Sequence, residues 1–205
     1  MMTSVAITAG GKYEYEIMFA KLDTSSLHLY ANKEQFDVLC KDGCVNYNKK
    51  WSCPPFAPAI EEFTQDWTHL YAMFMCINMA QFMHIKNNYL QIKAANSILK
   101  SRADKFLRNM AGKYGKYIST GSCRLCKPCK LKSNMPCAKP ESMTYSFEAM
   151  GVDVAKLVAD NFNRTLLWYR PEQLPTYTSV ASGLLTNAEL AHGLLIDEYR
   201  KLVPA

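Results

Sequence analysis

Residues 121–140 read GSCRLCKPCKLKSNMPCAKP, which places Cys123, Cys126, Cys129 and Cys137 within fifteen positions. An earlier stretch, CKDGCVNYNKKWSCPP, carries Cys40, Cys44 and Cys53. Thiols this close together serve as disulfides, metal ligands or redox groups. The chain starts MMTSVAITAGGKYEYE, with neither a basic leader nor a long apolar run, so a cytoplasmic protein is expected. Disulfides are rare in that reducing compartment, and metal ligation is the better reading.

Spacing narrows the metal. Structural zinc sites usually pair two distant Cys-x2-Cys knuckles. Three cysteines stepping by three residues instead match the run that wraps a 4Fe-4S cluster. The expectation is therefore a 4Fe-4S cluster at Cys123, Cys126 and Cys129, with zinc as the alternative. The fourth ligand of such a run can belong to a different cluster, so Cys137 stays open between the two sites. Arg124, Lys127, Lys130, Lys132 and Lys139 would balance the negative charge of a thiolate-bound cluster, although each taken singly reads as a solvated side chain.

Cys40, Cys44 and Cys53 can hold a second cluster with one iron left open, or with a fourth ligand from Cys76, Cys137, His69 or His84. Cys76 lies in an apolar run and reads as an inert buried thiol. Cys53-Pro54 resembles the Cys-Pro that ends ferredoxin runs, which leaves open a crossed arrangement with Cys53 in the second group. Tyr47, Trp51 and Phe56 could shield a cluster, floor a pocket or simply pack in the core. His28, His69, His84 and His192 each read as surface or satisfied core residues.

The elements that must position these thiols form an α+β pattern, with helices packed on a partly antiparallel sheet. The two runs within 13–30 predict a β-hairpin around Asp23-Thr24-Ser25, and the stretch from Cys40 through Pro58 reads as loop-rich. AIEEFTQDW starts like a short helix and LYAMFMCINMAQFM like a buried strand. A long helix is expected from about 88 to 111, stopped by Gly112 and followed by a short strand at KYIST. Asp153 is placed to cap the helix VAKLVADNF. A strand over 176–185 leads to a last helix through Leu202, with Thr186 and Glu189 as its capping box. No linker or repeat divides the chain, so residues 1–205 are expected to form one domain.

Cys-x3-Cys-x2-Tyr-x3-Trp-x-Cys-Pro-Pro over Cys40 to Pro55, Gly-x-Cys-x2-Cys-x2-Cys-x7-Cys-x2-Pro, and Glu-Ala-Met-Gly-Val-Asp-Val from Glu148 to Val154 resemble an uncharacterised prokaryotic family. Its members are cysteine-rich "predicted metal-binding proteins" frequent in anaerobes. The resemblance spans about residues 35–160. It implies that Cys40, Cys44, Cys53, Cys123, Cys126, Cys129 and Cys137 form the metal-binding set and that Cys76 lies outside it. Where the family has Arg-His-Pro after the last cysteine, this chain has Ala138-Lys139-Pro140.

Two cluster sites would support electron transfer, or reduction or sulfur removal on a small substrate at an open iron. The chain would then be an iron–sulfur-dependent oxidoreductase or desulfurase. Gly10-Gly11 and Gly112-x2-Gly115 are too isolated to hold a nucleotide, so electrons would come from a redox partner protein. The alternatives are a zinc-stabilised module for a nucleic-acid or protein partner, and a protein that delivers clusters or metal. A net charge of +6 is too weak to indicate nucleic acid. No apolar stretch is long enough to indicate a membrane span.

Overall fold

The computed structural model describes residues 1–171 and 173–203. Its sheet contains β1 (Met2–Thr8), β2 (Gly11–Asp23), β3 (His69–Asn78), β4 (Gly115–Ile118) and β5 (Tyr177–Thr186). They lie in the order β1-β2-β3-β5-β4, and every neighbouring pair is antiparallel. The helices are α1 (Lys33–Gly43), α2 (Ile60–Thr64), α3 (Asn88–Tyr114), α4 (Val154–Phe162) and α5 (His192–Leu202). The fold class is α+β.

β3 lies at the centre, which explains its unbroken apolar sequence. A strand covered on both faces must be apolar at odd and even positions alike. Tyr71, Met73, Met75 and Ile77 face a core built with α3 and α5. Leu70, Ala72, Phe74 and Cys76 face a second core built with α2, α4 and the 3₁₀ helix Thr24–Tyr30. α3 buries Ile92, Ala95, Leu99, Ala103, Phe106 and Met110, a stripe at helical spacing. Asp153 caps α4 as expected, accepting the Lys156 N–H at 2.9 Å.

Several boundaries differ from those expected. The hairpin is β1 with β2 rather than two strands within 13–30. Its turn uses Gly10 and Gly11, with Gly11 at φ +131° where side chains are disfavoured. Thr24–Tyr30 is a 3₁₀ helix whose buried Leu27 and Tyr30 sit three residues apart, the period of that helix. The start of the expected loop, Cys40 to Gly43, is the last turn of helix α1, so Cys40 lies on a helix.

α3 runs through Gly112 and ends at Gly115. A Cβ on Gly112 would meet nothing, whereas one on Gly115 would meet the Leu185 carbonyl oxygen at 2.1 Å, so glycine is required at the later position. The capping box is absent. Thr186 is held in β5 opposite His69 and its Oγ1 accepts the Ala188 N–H, while Glu189 pairs with Lys21. α5 is preceded by Ala191, whose methyl side chain cannot accept a capping hydrogen bond. Among the described residues, no helix is long and apolar enough to cross a membrane.

Candidate metal centre

α1 positions the first cysteine group. Its start is fixed by Asn32, whose side chain accepts the Gln35 N–H at 3.1 Å and whose own N–H donates to the Gly151 carbonyl at 2.7 Å. Gly151 sits at φ +87°, and a Cβ there would stand 2.5 Å from Lys33 Cα. At the other end, the Cys44 N–H donates to the Cys40 carbonyl at 3.0 Å. Residues four apart across a helical turn share one face. The chain then doubles back, with Asn48 in the left-handed region and its N–H donating to the Pro54 carbonyl.

That return brings Cys53 to Cys40 and Cys44. The three line one cavity of about 320 Å³ together with Tyr47, Lys100, Arg124 and Glu148. Burial, then Cys44, Asp37, Cys53 and Glu148, pushes the Cys40 thiol up to about 11. Cys53 is also pushed up, chiefly by burial and partly offset by its contact with the Ser52 hydroxyl. Both therefore hold their protons strongly until a cation displaces them.

The second group lies on an excursion rooted where the Ser119 N–H donates to the Tyr145 carbonyl at 2.8 Å. Cys129 precedes the 3₁₀ helix Lys130–Ser133, and Asn134 turns the chain in the left-handed region. Cys123, Cys126, Cys129 and Cys137 line a single narrow cavity with Trp51, Ser52 and Met143. Its volume is about 20 Å³, room for roughly one water-sized body.

One segment walls both cavities. Ser52 lines the second and Cys53 the first, while across from them Cys123 lines the second and Ser122 the first. The Cys123 N–H donates to Ser52 Oγ at 2.9 Å. Lys50 Nζ donates to Ser122 Oγ at 2.9 Å and to the Cys123 carbonyl at 3.1 Å. Trp51 Nε1 donates to the Met135 carbonyl at 3.0 Å.

A family described as "Predicted metal-binding protein (DUF2284)" matches residues 24–185, which include all seven of these cysteines. The chain belongs to this family. No curated protein and no solved structure matches it. The match leaves β1, β2 and α5 outside the DUF2284 region. A hydrogen bond of 2.9 Å between the buried hydroxyls of Tyr15 and Tyr199 joins those flanking segments.

The DUF2284 cysteines are thus divided by the fold into a group of four and a group of three. All eight cysteines of the chain are free thiols. Among the described residues, no three His, Cys, Asp or Glu side chains converge on a point as a closed single-ion site. The donor chemistry fits a thiolate-bound metal group, since each cavity draws most of its metal-ligating residues from cysteine. The four-cysteine cavity would have to widen to take a polynuclear group.

Cys137 lies with Cys123, Cys126 and Cys129, and Cys53 lies with Cys40 and Cys44, which is the uncrossed arrangement. The other fourth-ligand candidates lie elsewhere. Cys76 lines a separate cavity beside Glu16 and Arg164. His69 pairs with Asp23 at 3.3 Å, and His84 contacts the Tyr13 hydroxyl at 3.4 Å. His28 contacts the Ser25 carbonyl, and the side chain of His192 lies outside the described residues. Tyr47 lines the first cavity, and Trp51 lines the second while packing on Phe56 with ring centroids 4.8 Å apart.

Sequence reasoning missed Lys100, Glu148 and Ser52 as wall residues. Lys100 could have been found on α3, where Asn96, Lys100, Asp104 and Arg108 form a polar row at four-residue steps. Ser52 carried no signal, because its role depends on a partner 71 residues away.

Proposed function

We propose that the chain is an iron–sulfur protein with a 4Fe-4S cluster on Cys123, Cys126, Cys129 and Cys137 and a second on Cys40, Cys44 and Cys53. The observation that carries the reading is the division of the seven cysteines into adjacent groups of four and three. When bound, such groups supply electron transfer, and a cluster with three thiolates adds an open iron able to bind a substrate atom. The chain's own part is positional. Ser52 and Cys53 keep the two groups a single residue apart, and the Cys53 and Cys129 thiols lie close enough to influence each other.

The charge around the sites supports a redox role. Arg124, Lys127, Lys130, Lys132 and Lys139 are all exposed around the four-cysteine loop. They would offset thiolate charge and offer a docking face to an acidic redox partner. The three-cysteine cavity is larger and bears Lys100, Arg124 and Glu148, which suits a small substrate. An oxidoreductase or desulfurase is the activity class that uses both features.

The narrowness of the four-cysteine cavity favours one alternative, a zinc ion there and a structural role for that loop. Iron, zinc and acid-labile sulfide per chain, measured on anaerobically purified protein with its visible spectrum, separate these readings. About eight irons and eight sulfides support two cubanes, since each supplies four of both. Zinc without sulfide, in a colourless solution, overturns the redox reading and leaves a zinc-stabilised binding module. Iron that a mild chelator strips at once points instead to cluster delivery.

A further inference from the structure

The three-cysteine cavity does not end at its thiols. Lys100, Thr120 and Glu148 also line a second chamber of about 240 Å³ on their far side. Its apolar wall comes from Ile92, Leu166, Leu167, Trp168, Tyr169 and Val180. Trp168 is 68% exposed, a large aromatic surface left open at the chamber rather than spent in the core.

Lys100 and Glu148 are both partly buried, yet among the described residues neither side chain makes a hydrogen bond or ion pair. Lys100 Nζ lies against the loop at Gly121, 3.8 Å from where a Cβ would stand there. Burial, then Arg124, pulls the Lys100 ammonium below its usual range. Glu148 and Asp104 oppose that pull through space without touching the ammonium. Partly buried charges without a direct contact are costly, and opposite charges facing one space without touching leave room for a group between them.

We propose that this chamber binds a small zwitterion of the α-amino acid class. Its carboxylate meets Lys100, its ammonium meets Glu148 and its apolar side chain lies against Leu166 and Trp168. The ligand is held at the mouth of the Cys40, Cys44 and Cys53 cavity. The proposal deepens the functional reading by naming a substrate class, and it rests on that reading only for what happens to the ligand, since the chamber walls contain no cysteine.

The test is calorimetric titration of the anaerobically purified full chain with glycine, L-leucine and L-phenylalanine. The controls 3-phenylpropanoate and phenethylamine each carry one of the two charges. L-Leucine or L-phenylalanine is expected to bind more tightly than glycine or either control. Lys100→Met should weaken the amino acids and 3-phenylpropanoate about tenfold and spare phenethylamine, the loss of one charge-assisted contact. Glu148→Gln should weaken the amino acids and phenethylamine about tenfold and spare 3-phenylpropanoate. Leu167→Trp, a change in an irregular segment, should block all probes while thermal unfolding stays unchanged.

Absence of binding by any amino acid at millimolar concentration overturns the proposal, as does binding that both charge variants leave intact. Iron and sulfide measured on the same samples keep the two readings apart. Iron without amino-acid binding defeats this inference alone, and amino-acid binding without iron defeats the cluster reading alone.

Discussion

The backbone N–H of Cys123 donates to the Oγ of Ser52 at 2.9 Å, and Ser52 is 1% exposed. The bond ties the first cysteine of one group to the residue before the last cysteine of the other. Ser52→Ala leaves a shielded N–H unpaired, a cost of about 1–3 kcal/mol. A lower unfolding temperature is expected, together with faster metal loss to a chelator from both groups. Loss confined to one group would show that the wall is not shared.

The grouping of the cysteines predicts separable metal contents. Cys126→Ala should remove about half the iron, and Cys44→Ala the other half, if each group holds one cubane. Elemental analysis of each variant reads this directly. A full loss from either single change would mean that the two groups load as one unit.

Cys76 should behave differently from the other seven. Burial, then the neighbouring Glu16 carboxylate, pushes its thiol up to about 12. At pH 8 it is therefore a protonated, shielded thiol that iodoacetamide should label only after unfolding. Cys76→Ala should leave the metal content unchanged. Mass spectrometry of folded and denatured protein, with metal analysis of the variant, checks both outcomes.

Gly151 joins the start of α1 to the turn before α4. An alanine Cβ there would clash with Lys33 Cα in a backbone conformation that costs an L-residue about 1–2 kcal/mol even without a clash. Gly151→Ala should lower stability by at least that amount. Because α1 carries Cys40, the first group should lose metal before the second. Thermal unfolding and metal analysis together report the order.

Asp104 gives a pH signature. Burial raises its carboxyl above the usual value, against the opposing pull of Arg124, Arg108 and Lys100. Its Oδ1 is buried and has no hydrogen-bond partner among the described residues. The folded state then binds this proton more tightly than the unfolded state, so stability falls as pH rises from the unfolded value near 3.8 through the raised folded value. Asp104→Asn removes that dependence. Denaturation of the variant and the parent should coincide below that window, with the variant the more stable at neutral pH.

What was legible in the residues was what local forces decide. The α3 stripe, the Asp153 cap and the doubly apolar β3 run each lie within a short window, and the structure keeps them. Helix α1 was not read from the residues although Phe36, Leu39 and Cys40 sit at helical spacing, because it is short, buries no residue fully and runs directly into the loop-like Lys41-Asp42-Gly43. It forms through the Asn32 cap and the contact at Gly151, a residue more than a hundred positions away.

The sequence by itself determined the family-level chemistry, since metal-binding thiols must come in closely spaced sets for short loops to present them together. Tertiary structure alone decided the placement of β5 between β3 and β4, the sharing of the Lys50–Cys53 wall, and the meeting of Lys100 with Glu148 across one cavity. These relations join distant segments, and their register follows from which faces are buried together, which no local stretch of residues specifies.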